Sequence, residues 1–265
     1  NEKFAKKLKM DFPSINLKNL SPLTSKGIVS GDFDRARLKF ATKLGDIDNK
    51  FNGEVSRGEN SYVWDGRVEL YSSDFVRMLN NFSIDYHPNY PHGLFRFVAD
   101  VKGNFDNVSC KNVDTNVGSN NFKGEMTYSK IGKLKSVKAV ANANSIEFDK
   151  FFYNTNAEED AFRPRSDKVP FLGKPILSKA KIDYEWLKDW YIDATVKSDS
   201  LLIGDMTLKN ASWVMKLADS VLNVTQFSAN DGDGKVTGEF LFNVPENSRL
   251  SGKLSLHDVA MNKDR

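Results

Sequence analysis

The strongest constraint on this chain is an alternation of apolar and polar residues, at a period of two, between Leu201 and Phe242. That period is typical of β-strands that bury one face. One side of the alternation collects Ala211, Trp213, Met215, Leu217, Leu222, Val224, Val236, Gly238, Phe240 and Phe242, and Phe227 joins it after a slip of one residue. The runs are separated by Lys209-Asn210, Asp219-Ser220 and residues 230–234, where Asp-Gly pairs favour tight hairpins. The stretch is therefore predicted to be an antiparallel meander of about four strands.

Similar alternation extends over most of the chain. It is found near residues 6–19, 27–44, 51–57, 62–70, 94–102, 112–130, 134–148, 181–197 and 250–256. One segment differs, because Phe75, Met78, Leu79 and Phe82 follow a helical spacing after Asp74, a residue type that caps helices. We predict one short helix near residues 74–82 and β-structure elsewhere.

Residues 154–176 interrupt the alternation, because they are polar, carry three prolines and show no period. This piece is predicted to be a linker or a long loop. It separates a first β-rich module, residues 1–153, from a second one, residues 177–265, which continues the sheet.

A glycine motif recurs on the apolar side of the alternation. The pattern apolar-x-Gly-Glu-apolar surrounds Gly53, Gly124 and Gly238, and looser copies surround Gly66 and Gly252. A glycine in mid-strand weakens the strand, but it also lets the sheet bend sharply or another group approach closely. Its repetition at several strands predicts a curved sheet.

Composition and single residues exclude several classes of function. The net charge of +3, with both signs mixed, is too small for a nucleic-acid surface, and no apolar run is long enough to span a bilayer. Cys110 is the one cysteine, so the chain has no internal disulfide. His87 and His92 lie in a proline-rich loop that does not fix metal geometry, and residues 231–235 lack the glycine that a calcium loop needs. We therefore expect no catalytic residue, no metal, no cofactor and no enzymatic activity.

In the order of its motifs, the chain resembles the AsmA family of bacterial envelope proteins, relatives of the TamB-type bridge-like lipid-transfer proteins. The resemblance is clearest from Phe171 to Leu256, where a polar linker ending in proline precedes IDYEWLKDWYIDATVK, the meander with GKVTGEFLF, and LSGKLSL. Two shorter matches are YVWDGRVELYSSDFVRMLNNF and NNFKGEMTYSKIGKLKSVKAVANANSIEFDKFF.

The resemblance implies an all-β fold, an elongated and curled antiparallel sheet with an apolar groove or an open sandwich and few short helices. It implies a body in the periplasm, anchored to the bacterial inner membrane through a segment not present in this chain. It implies a role in phospholipid transport between the inner and outer membranes, or in outer-membrane homeostasis. Phospholipid acyl chains are then the expected ligand, and no nucleic acid is expected.

Two arrangements of the apolar side fit the pattern alone, a closed sandwich core and an open groove. The resemblance favours a groove, whose candidate wall residues are Phe95, Phe97, Met126, Trp213, Met215, Leu217, Phe227, Phe240 and Phe242. An acyl chain gains roughly 0.8 kcal/mol for each methylene that it moves from water to an apolar wall, so lipid needs no directional chemistry there. The alternative function is a structural or interaction module that supports envelope assembly without carrying lipid. A face covered by helices or by a second sheet would favour that alternative.

Overall fold

The computed structural model describes residues 23–59, 61–81, 92–151, 188–203, 206–243 and 249–258. The described strands are β1 (Leu23–Gly31), β2 (Arg35–Leu44), β3 (Ile47–Arg57), β4 (Tyr62–Ser72), β5 (Phe95–Gly103), β6 (Asn107–Val117), β7 (Asn120–Ile131), β8 (Leu134–Glu147), β9 (Trp190–Ile203), β10 (Met206–Ala218), β11 (Val221–Asp231), β12 (Gly234–Asn243) and β13 (Arg249–His257). Helix α1, Phe75–Asn81, follows β4, and a 3-10 helix, Phe148–Phe151, follows β8. The strand predicted within residues 6–19 lies outside the described residues.

All these strands belong to one open, curled sheet of 13 strands, and their order across the sheet is their order along the chain. The predicted fold class is therefore confirmed. Neighbouring strands are antiparallel except β8 and β9, which run parallel from the pair Lys135 and Trp190 to the pair Glu147 and Leu202. The sequence does not predict this pair, because side chains alternate in the same way in parallel and antiparallel strands. The predicted linker, residues 154–176, lies between these two strands and outside the described residues.

Two of the three predicted breaks in the meander are confirmed as hairpins. Asp219 and Ser220, with φ of 50° and 62°, form the turn between β10 and β11. Gly232, with φ of 60°, lies in the two-residue turn between β11 and β12. These left-handed values are the ones that tight β-hairpins require.

The third predicted break, at Lys209-Asn210, is wrong, because β10 runs through it. Asn210, with φ of 51°, is instead an extra residue at a shift of register against β11. The chain reverses between Ile203 and Met206, which pair with each other. A polar asparagine serves a bulge as well as a turn, since both use a left-handed φ.

The slip of register predicted before Phe227 is confirmed as a β-bulge. Between Val224 and Phe227 the register against β12 shifts by one residue, and Gln226 takes a φ of 55°. A similar bulge in β6 places Asn112 at a φ of 49°. Each bulge increases the local twist and bends its strand, which contributes to the curl of the sheet.

Helix α1 lies within the predicted residues 74–82 and is capped as predicted. Asp74 Oδ1 accepts a hydrogen bond from the backbone N–H of Arg77 at 2.9 Å. Met78 is buried against Ile47, the first residue of β3. The helix therefore packs on the end of the sheet at which β2 finishes and β3 starts. We call this the helix end of the sheet, and the opposite end of the strands the distal end.

One face of β2–β6 is polar and carries ion pairs between neighbouring strands. The pairs are Arg35–Glu54, Lys50–Glu69 at 3.9 Å, Arg67–Asp100 at 3.0 Å, Lys102–Asp65 at 3.0 Å and Arg96–Asp114 at 3.2 Å. Exposed pairs of this kind contribute about 0–1 kcal/mol each, so they mark the water-facing side rather than hold the sheet together. The alternate residues of the same strands consequently define a second, apolar face.

Candidate functional site: the apolar face

The apolar face is continuous across the whole sheet. One register row takes one residue from each strand, and each pairs with the next: Val29, Leu38, Gly53, Gly66, Val101, Cys110, Met126, Ala139, Ala194, Met215, Val224, Phe240 and Gly252. We call this the central row. It contains no charged residue and no amide or hydroxyl side chain. With strands about 4.8 Å apart, the row follows the sheet for about 58 Å.

A second row lies next to the central one, toward the distal end. Its members pair in the same way and are Gly31, Ala36, Val55, Trp64, Gly103, Val108, Tyr128, Val137, Ile192, Leu217, Leu222, Phe242 and Leu250. The polar side-chain groups in it are the hydroxyl of Tyr128 and the indole N–H of Trp64. Two adjacent rows of this composition make an apolar strip rather than a set of separate apolar patches.

The side chains of the face gather into two main clusters. In the first half of the sheet, the buried residues Phe51, Ala99, Val101 and Cys110 contact partly buried side chains from β2 to β7, including Trp64. In the second half, Ala211, Phe227 and Val236 belong to a buried cluster that Trp213 and Phe240 join from its edge. Between the clusters, β8 contributes the small residues Ala139 and Ala141 to the face, and its Ala143 belongs to the second cluster.

Large side chains on this face are only partly buried. Among the described residues no second sheet lies over it, and α1 packs on its helix end alone. Accordingly, many large apolar residues keep an intermediate exposure, namely Leu38, Phe40, Trp64, Val68, Phe97, Met126, Val196, Trp213, Met215, Val224 and Phe240. In a closed sandwich core such residues would be enclosed on both sides. The described part of the chain therefore presents an accessible apolar surface.

Phenylalanine rings fill the space above four of the predicted glycines. A Cβ built on Gly53 or Gly66 would come within 2.9 Å or 3.0 Å of the Phe51 ring. On Gly252 or Gly238 it would come within 2.7 Å or 3.3 Å of the ring of Phe240. Each glycine therefore makes room for a ring that lies along the sheet, which smooths the apolar surface.

Gly124 differs from the other four, because the three atoms nearest to a Cβ built there are all backbone atoms and no ring is among them. A Cβ built there would come within 1.9 Å of the carbonyl oxygen of Val140 on β8. Strands β7 and β8 can approach this closely only because residue 124 has no side chain. This position supports the prediction that a glycine permits a close approach within the sheet.

The predicted wall residues occupy different parts of the face. By register, Phe97, Met126, Trp213, Met215, Leu217, Phe227 and Phe240 lie on the apolar face. Phe95 lies at its helix end, where it contacts Phe75 of α1 with 5.4 Å between ring centroids. Phe242 pairs with Leu222 in the second row, and its side chain lies outside the described residues. The sequence prediction missed Phe40, Phe51, Trp64 and Val196, although the alternation at period two places all four on the same side.

Two buried titratable groups near this face have shifted pKa values. Burial among apolar neighbours raises the pKa of the Cys110 thiol, so it is protonated at neutral pH. Burial also lowers the pKa of His92, and Lys150 lowers it further. Within the described residues, no group of three or more His, Cys, Asp or Glu side chains is placed to hold a metal ion. His87 lies outside the described residues.

A shallow depression of about 620 Å³ lies mainly on the opposite, polar face. Its lining includes Lys26, Lys43, Lys50, Glu69 and Arg96. Charged side chains of both signs suit water rather than an apolar ligand, so this depression does not compete with the apolar face as a lipid site.

Comparisons of the chain with models of protein families, with curated proteins and with solved structures find no match. Among the described residues, no helix has the length and apolar character that crossing a membrane would take. The resemblance to the AsmA family thus stays a prediction from the motifs, and the functional argument rests on the apolar face.

Proposed function

We propose that the apolar face binds phospholipid acyl chains, and that the protein takes part in moving phospholipid between the inner and outer membranes of a bacterial envelope or in maintaining the outer membrane. The observation that carries the proposal is the central row, which crosses the sheet without a charged, amide or hydroxyl side chain. Continuous apolar surface of this extent marks a binding site in a water-exposed protein.

The dimensions of the central row suit an acyl chain. A leaflet of a bilayer is about 15 Å of hydrocarbon, half of the total of about 30 Å. The row of about 58 Å is therefore long enough for more than one chain end to end. Each methylene that leaves water for the face contributes roughly 0.8 kcal/mol, and the smooth cover of rings over glycines imposes no fixed register on the ligand. Such a surface favours a bound acyl chain that can slide along the row rather than one that is held at a single position.

The cellular setting of the proposal comes from the resemblance to the AsmA family. In that setting the sheet lies in the periplasm and an anchor outside this chain holds it at the inner membrane. The headgroups of bound lipids would stay in water, since the apolar rows offer them no polar partner. The proposed role is passive conduction, in which the protein supplies a path and no chemical step.

The test compares two substitutions on adjacent residues of β10. Met215 lies in the central row, and Val214 points to the other face; both have an intermediate exposure. We expect native mass spectrometry to detect phospholipid bound to the parent protein and to Val214→Asp. We expect it to detect none on Met215→Asp, which places a carboxylate in the lipid path. Because water can reach an open face, Met215→Asp should still fold.

The alternative, a structural module without lipid, predicts a different pair of results. The parent protein would carry no phospholipid, and Met215→Asp would lose several kcal/mol of stability in urea unfolding, because it would bury an unpaired carboxylate in a closed core. That combination would overturn the proposal and leave the structural module.

A further inference from the structure

The distal end of the sheet brings several hairpins to one level. Because the strands alternate in direction, the turns of hairpins β1–β2, β3–β4, β5–β6 and β7–β8 all lie there, together with the first residue of β9. The pairs that close these hairpins or flank them are aligned across the sheet, as the second row of the apolar face shows. These turns therefore protrude at one end of the sheet, where the ring of Phe105 also contacts the ring of Trp64, with 4.7 Å between centroids.

Three of the distal turns, β1–β2, β5–β6 and β7–β8, carry exposed apolar side chains, whereas the distal turns β3–β4 and β10–β11 carry polar residues. Phe33 is 91% exposed, Ile131 78%, Phe105 57% and Leu134 49%. The described turns at the helix end are built differently, from Gly45-Asp46, Gly118-Ser119 and Gly232-Asp233. The described turns at the helix end thus carry no large apolar side chain, although Leu23, Leu94 and Met206 elsewhere at that end are 65%, 39% and 38% exposed.

Two of these hairpins share one construction. In β1–β2, Asp32 Oδ1 accepts hydrogen bonds from the backbone N–H groups of Asp34 and Arg35, each at 2.9 Å. In β5–β6, Asn104 Oδ1 accepts from the N–H groups of residues 106 and 107, at 2.9 Å and 2.8 Å. Both turns present a phenylalanine at the apex. Because the turn satisfies its own backbone groups, moving the apex out of water exposes few unpaired polar groups to an apolar medium.

Amphipathic side chains lie beside the apolar tips. Tyr128 and Trp190 are neighbours, with ring centroids 6.5 Å apart, and Lys135 Nζ lies 5.1 Å from the centroid of the Trp190 ring. Both rings lie next to the β7–β8 hairpin that carries Ile131. Trp, Tyr and Lys of this kind, with an apolar body and a polar tip, are characteristic of the level at which a membrane meets water.

We propose that the distal end docks on a phospholipid bilayer, with Phe33, Phe105 and Ile131 entering its surface. The tips are separate protrusions: the Phe33 and Phe105 hairpins are four strands apart, about 19 Å, and the Ile131 hairpin is two strands further, about 10 Å. A protein partner would need a matching pocket for each tip, whereas a fluid bilayer accepts an apolar group at any lateral position. A bilayer is therefore the partner that this spacing favours.

The charges around the tips set the depth and the lipid preference of the contact. Asp32, Asp34 and Asp106 flank the phenylalanines, so the rings enter while the turns stay at the headgroup level. Arg57, Lys130, Lys133 and Lys135 lie at the same end and offset these carboxylates. With both signs present, the contact depends on the apolar tips rather than on attraction to anionic lipid. This docking proposal is independent of whether the apolar face carries lipid.

The test is flotation of the protein with extruded vesicles of phosphatidylcholine. We expect the parent protein to float with them, and Phe33→Ser with Phe105→Ser to weaken partitioning by about tenfold or more for each ring removed. The matched controls are Ile28→Ser, which is 69% exposed on edge strand β1, and Met206→Ser, at the helix end. Both controls should float like the parent protein. Brominated phosphatidylcholine should quench the fluorescence of the parent protein, and Trp190→Phe should lose part of that quenching.

Four results would overturn the proposal. The parent protein does not float with phosphatidylcholine, or the double variant floats as well as the parent, or Ile28→Ser is weakened as much as the double variant. Flotation that requires phosphatidylglycerol and disappears in high salt would also overturn it, because lysines rather than apolar tips would then hold the protein. Native mass spectrometry of the double variant separates this proposal from the groove, since the variant should keep any lipid bound to the apolar face.

Discussion

Replacing Gly124 by alanine should separate two strands of the sheet. Its added Cβ would lie 1.9 Å from the Val140 oxygen, 2.9 Å from the Val140 carbonyl carbon and 3.1 Å from the Cα of Ala141. All three are backbone atoms of β8, so no side-chain rotation relieves the overlap. Gly238 provides a matched comparison on β12, since its nearest contacts are a carbonyl oxygen at 3.0 Å and flexible side-chain atoms at 3.1 Å and 3.3 Å.

The two substitutions should differ in sign or in size. Gly→Ala at a permissive site stabilises by about 0.4–1 kcal/mol, because the unfolded chain loses freedom. At Gly124 the overlap should exceed this gain, and overpacking of this kind costs about 1–3 kcal/mol. At Gly238 the neighbouring atoms need to shift by only a few tenths of an ångström. The cost of that shift and the gain from the less flexible unfolded chain should therefore nearly cancel. We therefore expect Gly124→Ala to be the less stable variant by about 1–3 kcal/mol.

Urea unfolding, followed by circular dichroism and by tryptophan fluorescence, measures the difference. The comparison is valid if both variants keep the denaturant dependence of the parent protein, since a changed slope signals a changed denatured or native state. Equal stability of the two variants, or a gain at Gly124, would refute the close approach of β7 and β8 that the argument uses.

Two further predictions concern single side chains. Asp74→Ala should lower the free energy of unfolding by about 1 kcal/mol, because Asp74 caps α1, whereas Ser73→Ala next to it should be nearly neutral in the same urea titration. A hydrogen bond from Asn121, and then the neighbouring Arg96, lower the pKa of Asp114, so its contribution to stability should be full above about pH 4 and disappear as the pH falls below that value. Urea unfolding at a series of pH values from neutral to acid should show that Asp114→Asn loses less stability at acid pH than the parent protein does. An equal loss of stability in the two proteins would contradict the role of this carboxylate.

Alternation at period two predicted nearly all of the strands and the side of each strand that is apolar. In β4, for example, Trp64 and Val68 lie on the apolar face and Arg67 on the polar one, as the alternation of residues 62–70 requires, although Trp64 was not among the predicted wall residues. The cap of α1 was equally readable, since Asp74 precedes a helical spacing of apolar residues. The strands and the helix cap depend on residues that are close together in the sequence, which is why they can be predicted from it.

The features that the sequence does not predict depend on partners far away along the chain. The parallel pairing of β8 and β9 is one, since no residue within either strand distinguishes it from antiparallel pairing. The role of Asn210 is another, because the same φ serves a bulge or a turn and only the neighbouring strand decides between them. The central row is a third, because it depends on the register of every strand pair. A slip of one residue would move all the apolar side chains of a strand to the polar face.

The positions of the glycine motif show how the apolar face is extended. Gly53, Gly124 and Gly238 lie on β3, β7 and β12, which are the third strands of the four-stranded units β1–β4, β5–β8 and β10–β13. Residues 148–205, which include β9 and the long connection before it, stand between the second and third units and lengthen the spacing of the motif there. Each unit adds four positions to the central row and pairs through its edge strand with the next element. The length of the apolar path therefore grows with the number of such units that are joined.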